Sequence, residues 1–296
     1  MWFLFVVITS LFNCAYYFGN QTAKVSPNVF MFYRGAVPAL FLLPFLPFIT
    51  YVDAWQFYVL CILQGLVISF IDYRNFKAMR TWGAEAVSSL HPISIGAVFL
   101  LWLMIKPIIL IINYLDDLWR LGGIVATLGG IIYATASFQK SEHSKQMLQY
   151  LWPYFLGAAL CDVINKLCMS YVVKETVSSA SCLYIMITGA VVAMLNLIIY
   201  VKNNNKINEL YNFSNLKYSF LILLLIGSMV SKNFAMYNVS NPSFVSATLY
   251  LYIVWIMLVG KVLQKLGKSG NYHILDRKKV VILLVCAIGL VLLDNK

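Results

Sequence analysis

The stretch Asp72-Tyr73-Arg74-Asn75-Phe76 places two charged side chains inside a long apolar run. A shorter copy of its second half, Lys232-Asn233-Phe234, occurs far downstream. In both copies the same spacing separates the asparagine from a Val-Ser pair, Val87-Ser88 in the first and Val245-Ser246 in the second. Each copy also lies near the end of one apolar span and leads into the next. The pattern therefore predicts a duplicated unit.

The composition predicts an integral membrane protein. Hydrophobic residues make up 61% of the chain, charged residues only 11%, and the mean hydropathy is +0.79. These values lie far from ordinary soluble usage. The net charge of +11 would suggest nucleic acid as the partner of a soluble chain, but no stretch combines a solvated basic face with interleaved aromatic residues. We therefore expect a lipid bilayer, and not nucleic acid, as the partner of the basic loops.

The six cysteines lie in apolar runs and include no CxxC pair. This placement is typical of small buried hydrophobic residues. Neither a disulfide framework nor a metal site is expected, and no cofactor is predicted.

Ten apolar runs of about 20 residues are long enough to cross a bilayer core of about 30 Å. They are predicted at 2–18, 27–49, 55–77, 84–105, a fifth span from the Asp116-Asp117 turn to 138, 151–173, 177–201, 218–238, 242–263 and 280–293.

Serine or asparagine followed by proline predicts two of the helix starts, at Ser26-Pro27 and Asn241-Pro242. Three prolines, Pro38, Pro44 and Pro47, are expected to bend the second span or end it early.

The predicted fold is an all-α membrane protein with ten transmembrane helices arranged as two inverted five-helix repeats. The first repeat covers 1–139, a polar linker covers 140–149, and the second repeat covers 150–296. Because five is odd, the second copy of such a unit enters the membrane upside down, as in many secondary transporters.

Four local motifs give the sequence a family resemblance. They are the arginine at the start of span two (Phe32-Tyr33-Arg34-Gly35-Ala36), the aromatic exit of span three (Phe70 to Ala78), the small-residue start of span four (Ala84 to Pro92) and the glycine-rich span five (Leu121 to Gly130). The chain resembles the drug/metabolite transporter superfamily, in the ten-helix branch built from two EamA-type repeats. The resemblance implies a small-molecule carrier with a central cavity lined by spans one, three, four, six, eight and nine.

Charged and polar residues inside the spans predict the binding site. A charge at mid-bilayer costs about 2.5 to 3.5 kcal/mol, so each needs a partner or a wet cavity. Asp162, Asn165 and Lys166 share one face of span six at i, i+3 and i+4. The inverted symmetry would bring this face against a matching face of span one, with Asp72 and Lys232 entering from spans three and eight. The matching face consists of Asn13, Tyr16 and Tyr17.

Other interpretations of the charged residues stay open. Asp162 and Lys166 could pair along their own helix and serve only insertion and packing. Arg34 and Arg74 could extend to the headgroups from positions near helix ends.

Three further residue types complete the candidate site. Trp102 and Trp255 lie inside spans four and nine, where they either wall a cavity or pack. His91 lies beside Pro92 and is either a proton-responsive group or a hydrogen-bonded structural residue. The candidate substrate-binding residues are Asn13, Tyr16, Tyr17, Asp72, Arg74, His91, Trp102, Asp162, Asn165, Lys166, Lys232, Asn233 and Trp255.

These features predict a secondary transporter that moves a small polar organic metabolite, such as an amino acid or another amine-bearing or zwitterionic solute, by alternating access. A channel or a membrane-embedded ligand sensor without catalytic activity is the alternative. An enzyme is not expected, because His91, His143 and His273 are scattered and no nucleophile with a base or HExxH motif is present. A bacterial inner membrane is the expected location. A proton or counter-solute as the driving partner and a homodimer are both left open.

The basic residues are distributed unevenly over the connections. Those after the odd-numbered spans contain Lys24, Lys77, Arg80, Lys140, Lys145, Lys202, Lys206, Lys217, Lys261, Lys265, Lys268, Arg277, Lys278 and Lys279, against Lys106, Arg120, Lys174 and Lys296 on the opposite side. The positive-inside rule places the first set in the cytoplasm and both termini outside. The family resemblance implies the reverse orientation.

Overall fold

The computed structural model describes residues 2–22, 26–83, 87, 90–91, 93–106, 118–136, 144–202, 219–249, 251–265, 281–282, 285–286 and 288–289. All regular secondary structure within these residues is helical. The predicted start of span four at 84–86 and most of predicted span ten lie outside the described residues.

Ten helical segments follow one another along the described chain. They are α1 (Trp2–Thr22), α2 (Pro27–Leu42), α3 (Trp55–Trp82), α4 (Ile93–Ile105), α5 (Leu118–Ala136), α6 (Ser144–Ser170), α7 (Val177–Lys202), α8 (Ser219–Asn238), α9 (Pro242–Leu249) and α10 (Leu251–Lys265). Two short 3₁₀ turns, Leu43–Phe48 and Lys174–Thr176, follow α2 and precede α7. Predicted span nine corresponds to α9 together with α10.

The predicted caps begin α2 and α9 as expected. The Ser26 hydroxyl accepts a hydrogen bond from the backbone N–H of Val29 at 3.3 Å, and Asn241 Oδ1 accepts one from the N–H of Ser243 at 3.0 Å. At the other end of α2, regular helix stops at Leu42 and the Pro-containing 3₁₀ turn follows. The predicted caps and the predicted early end of span two are therefore confirmed.

The later part of the predicted polar linker, 140–149, is helical. Helix α6 begins at Ser144, so residues 144–149 belong to it. These residues include good helix formers such as Lys145 and Gln146, and a helix can continue past the apolar run that enters the membrane. Pro153 lies inside α6 without ending it. Residues 140–143 lie outside the described part.

The helices are those of a membrane-embedded protein. In the described part of the chain, five stretches are long and apolar enough to cross a membrane, namely Pro27–Phe48, Trp55–Trp82, Gln146–Ser170, Lys174–Lys202 and Pro242–Val262. Shorter apolar helical stretches cover Trp2–Tyr16, Ile93–Ile105 and Leu121–Gly130. Large apolar side chains such as Phe48, Phe70 and Met104 face outward. Their exposure suits a surface covered by lipid.

Helices from the two halves pack against one another. Helix α1 packs on α8, and α3 packs on α6. Helix α2 lies against α7 and α8, while α7 also contacts α3. Helix α4 contacts α6, and α1 contacts α9 and α10. The polar faces of α1, α3, α6 and α8 consequently turn toward a common interior.

The contact between α2 and α7 depends on two facing glycines. A Cβ atom built on Gly35 would lie 2.4 Å from the carbonyl oxygen of Gly189, and one built on Gly189 would lie 2.7 Å from the carbonyl oxygen of Gly35. The two backbones therefore approach more closely than any side chain allows, as at other small-residue contacts in membranes.

Three glycines of the glycine-rich span five differ in how closely a neighbour approaches them. Among the described residues, nothing lies within 4 Å of a Cβ built on Gly122 or Gly129. Gly130 is the member of this motif that a neighbour approaches, because its Cβ would meet Cys286 Sγ at 2.8 Å.

Candidate functional site

A cavity of about 160 Å³ lies between the two sets of helices. Its walls come from α1, α2, α3, α6, α7, α8, α9 and α10, together with His91 from the segment before α4. Seven of the predicted site residues line it: Asn13, Tyr16, Asp72, His91, Asp162, Asn165 and Lys232. The six spans that the family resemblance implied all contribute. Helices α2 and α7 add Arg34 and Tyr184.

The first of two ion pairs in the wall joins α2 to α3. Arg34 Nη1 contacts Asp72 Oδ2, and both side chains are largely buried. The guanidinium carbon of Arg34 lies 5.5 Å from the centroid of the Phe76 ring, a cation–π contact. Phe76 packs in turn against Phe30 and Tyr16, at ring-centroid distances of 5.1 and 6.0 Å. Arg34 therefore turns inward and does not extend to the headgroups.

The second ion pair joins α6 to α8. Lys232 Nζ donates to Asp162 Oδ1. The other carboxylate oxygen of Asp162, Oδ2, accepts a hydrogen bond from Ser246 Oγ on α9 at 2.5 Å. One carboxylate thus holds three helices together, and each of its oxygens has a donor.

Lys166 does not pair with Asp162 along α6. Its Nζ donates to the backbone carbonyls of Met236 and Val239, at 2.8 and 2.5 Å, where α8 ends. Carbonyls at a helix C-terminus lack helical partners and carry a partial negative charge, so they attract a cation. The alternative interpretation, in which Asp162 and Lys166 pair along their own helix, does not hold, and Lys166 is not among the residues that line the cavity.

His91 connects α3 to α10. Its Nε2 lies 3.1 Å from Asn75 Oδ1, and its Nδ1 lies 2.6 Å from the hydroxyl of Tyr252. An amide oxygen can only accept, so Nε2 carries the proton in a neutral ring and Nδ1 accepts from Tyr252. The ring is 2% exposed. His91 has the partners of a hydrogen-bonded structural residue in the wall.

Two asparagine contacts join α8 to its neighbours, one with α1 in the first half and one with α6 in the second half. Ser228 Oγ on α8 donates to Asn13 Oδ1 on α1 at 2.7 Å. Asn165 Nδ2 on α6 donates to Asn233 Oδ1 at 3.0 Å. These contacts join span eight to spans one and six, and Asn13, Asp162 and Asn165 from the two predicted faces line the same cavity. Asn233 itself is buried behind the cavity wall.

Three more predicted residues do not line the cavity. Arg74 is exposed, donates to the carbonyl of Tyr150 at 3.4 Å and stacks over the Tyr150 ring at 5.7 Å. Trp102 is buried against Ala159 and Val163 on the far side of α6. Trp255 Nε1 donates to Ser10 Oγ at 2.9 Å.

Helix rotation, which hydropathy does not fix, decides which face meets the cavity, and it turns these three side chains away from the lining. The side chain of Tyr17 lies outside what the structure describes.

The sequence interpretation missed several cavity residues. The predicted site does not include Arg34, for which a position at the headgroups is the alternative, and it does not include Gln64, Asn75 or Tyr252. One signal could have identified Arg34. It lies about two turns after the start of α2, and Asp72 lies about three turns before the end of α3, so opposite charges occur at similar depths in neighbouring spans.

Comparisons with known proteins add no assignment. No family model matches the chain, and no curated protein matches it in sequence.

Proposed function

We propose that the chain is a secondary carrier that moves a small polar organic solute across a membrane by alternating access. The observation behind the proposal is the cavity, which places two carboxylates and two cations inside a bundle of apolar helices. Burying four charges in a membrane is costly unless they are paired and serve a solute that needs them. Their placement in one shared cavity favours a binding site over four unrelated structural contacts.

The order of the helix contacts supports an inverted-repeat carrier. Mapping spans one to five onto spans six to ten turns the α1–α8 contact into the α6–α3 contact. The same mapping turns the α3–α7 contact into the α8–α2 contact, and it turns the α4–α6 contact into the contact of α9 and α10 with α1. The α2–α7 contact maps onto itself. Gly35 and Gly189 face each other at that self-paired contact, as residues on a two-fold axis do. We therefore propose the ten-helix, drug/metabolite transporter type of architecture.

The size of the cavity limits the solute in this conformation. A cavity of about 150 Å³ holds one benzene molecule. At about 160 Å³ the cavity fits a metabolite of similar bulk. Drug-sized ligands occupy pockets of roughly 300 to 1,000 Å³ and would need a different conformation.

Transport by purified protein in liposomes tests the function. Pools of labelled amino acids, amines and nucleosides are offered to proteoliposomes and to empty liposomes, first for uptake and then for counterflow against the same unlabelled pool. A carrier gives saturable uptake that is accelerated by solute on the opposite side. Flux that neither saturates nor responds to solute on the opposite side would identify a channel, and binding without flux would identify a sensor.

A further inference from the structure

The two carboxylates of the cavity differ in how much of their hydrogen-bonding capacity is already used. Asp162 has a donor on each oxygen, from Lys232 and Ser246. Asp72 contacts Arg34 through Oδ2, and no group among the described residues donates a hydrogen bond to its Oδ1. A carboxylate accepts through both oxygens, so Asp72 retains room for a donor from a solute. Asp162 is instead committed to joining α6, α8 and α9.

Arg34 also retains hydrogen-bonding capacity. A guanidinium has five N–H donors, and the contact with Asp72 uses the Nη1 end. Within the described part of the chain, Arg34 Nε has no acceptor. Arg34 lines the cavity, so guanidinium donors that the Asp72 contact does not use are available to an acceptor there.

Among the described residues that line the cavity, the formal charges cancel. Arg34 and Lys232 are cations, and Asp72 and Asp162 are anions. A solute with a net charge would add an uncompensated charge to a site surrounded by apolar helices, which is costly. A solute that carries one charge of each sign adds no net charge. It can also contact both members of an ion pair whose hydrogen-bonding groups are not all used.

We infer that the solute is a small zwitterion held at the Arg34–Asp72 pair, with its ammonium group on Asp72 Oδ1 and its carboxylate on the guanidinium of Arg34. The inference rests on the carrier function proposed above and names its substrate class. From the cavity volume, the solute has roughly six to eight non-hydrogen atoms. Amino acids with short side chains meet this description.

Matched ligands test the charge requirement without any mutation. Alanine and serine are compared with their amides, which keep only the ammonium group, and with their N-acetyl derivatives, which keep only the carboxylate. Binding to the purified protein is measured by displacement of the labelled amino acid. Loss of one charge-assisted contact lowers affinity by roughly 10- to 100-fold. At least one zwitterion is therefore expected to bind about tenfold more tightly than both of its derivatives.

Two variants test the location of the site. Asp72→Asn leaves Arg34 without its anion. The variant protein should therefore bind the zwitterion about tenfold more weakly and prefer the N-acetyl derivative. Arg34→Gln leaves Asp72 without its cation, so it comes to prefer the amide. Asp53→Asn, the same substitution as Asp72→Asn but at an exposed position, leaves all three affinities unchanged. A reversal of preference cannot arise from partial unfolding, which lowers all three affinities together.

The outcomes separate this inference from the proposed function. Counterflow of a nucleoside or a simple amine, with no binding of either zwitterion, would leave the carrier intact and overturn the zwitterion. Tight zwitterion binding with unchanged preferences in both variants would move the solute away from Arg34 and Asp72. If Asp72→Asn does not fold, the ligand comparison on the wild-type protein decides the solute class. The variant Arg34→Lys, which keeps the charge but loses the planar guanidinium, then tests whether the solute binds at Arg34.

Discussion

Removing the charge of Asp162 leaves Lys232 as a partly buried cation without a carboxylate partner. Breaking one side of such a pair is more costly than removing both sides. We expect Asp162→Asn to lower the free energy of unfolding by about 1 to 3 kcal/mol, since the pair borders a cavity and is not fully desolvated. Thermal unfolding of the purified protein in detergent measures the loss.

The matched control for this change is Asp53→Asn, which removes an exposed carboxylate. The double variant Asp162→Asn with Lys232→Gln should recover part of the stability, because no unpaired charge remains. An unfolding temperature of Asp162→Asn equal to that of Asp53→Asn would contradict the structural role assigned to this ion pair.

Lys166 closes the C-terminal end of α8 through two backbone carbonyls. Lys166→Met keeps a long unbranched side chain but removes the donors and the charge. We expect a loss of about 1 to 2 kcal/mol in stability, with no change in which solutes bind. The same substitution at exposed Lys174 serves as the control. A change in solute preference in Lys166→Met would place Lys166 in the binding site after all.

At the scale of helices, the close approach of α2 and α7 predicts opposite effects for two glycine-to-alanine changes. Gly35→Ala puts a Cβ 2.4 Å from the Gly189 carbonyl oxygen, so the helices must separate, at a cost of about 1 to 3 kcal/mol. Gly122→Ala on α5 meets nothing within 4 Å among the described residues and removes flexibility from the unfolded chain. It should stabilise by about 0.4 to 1 kcal/mol.

Thermal unfolding of both glycine variants, made in the same background, tests the prediction by its sign. Equal shifts in the same direction would mean that α2 and α7 are less closely packed than described.

The start and end of each helix could be predicted from sequence wherever local chemistry decides them. The Ser26 and Asn241 caps and the proline-rich end of α2 depend on a few neighbouring residues. The start of α6 at Ser144 could not be predicted from the end of the apolar run, because a polar segment can remain helical outside the membrane.

The ion pairs could not be predicted in the same way. The pairing of Asp162 with Lys232, and of Arg34 with Asp72, depends on how four helices rotate against one another. Hydropathy records that a span is apolar but does not determine that rotation.

At the scale of the whole molecule, the distribution of basic residues predicts the orientation in the membrane. Ser26 precedes α2 on the side with the basic connections, and Glu175 lies between α6 and α7 on the opposite side, with five predicted spans between them. Both positions are exposed. In a cysteine-free background, a membrane-impermeant maleimide added to whole cells should label Glu175→Cys and leave Ser26→Cys unlabelled. The reverse pattern would support the orientation that the family resemblance implies.

The carrier proposal joins the three scales, because it combines an ion pair at Asp72, the proposed inverted arrangement of helices and a cavity shared by the two halves. Counterflow in proteoliposomes tests this combination most directly. We expect labelled alanine or serine to be taken up faster when unlabelled solute is inside, with the same concentration dependence in the wild type and in Asp53→Asn and a requirement for about tenfold more solute in Asp72→Asn. Uptake that is indifferent to internal solute in the wild type, or an unchanged concentration dependence in folded Asp72→Asn, would contradict it.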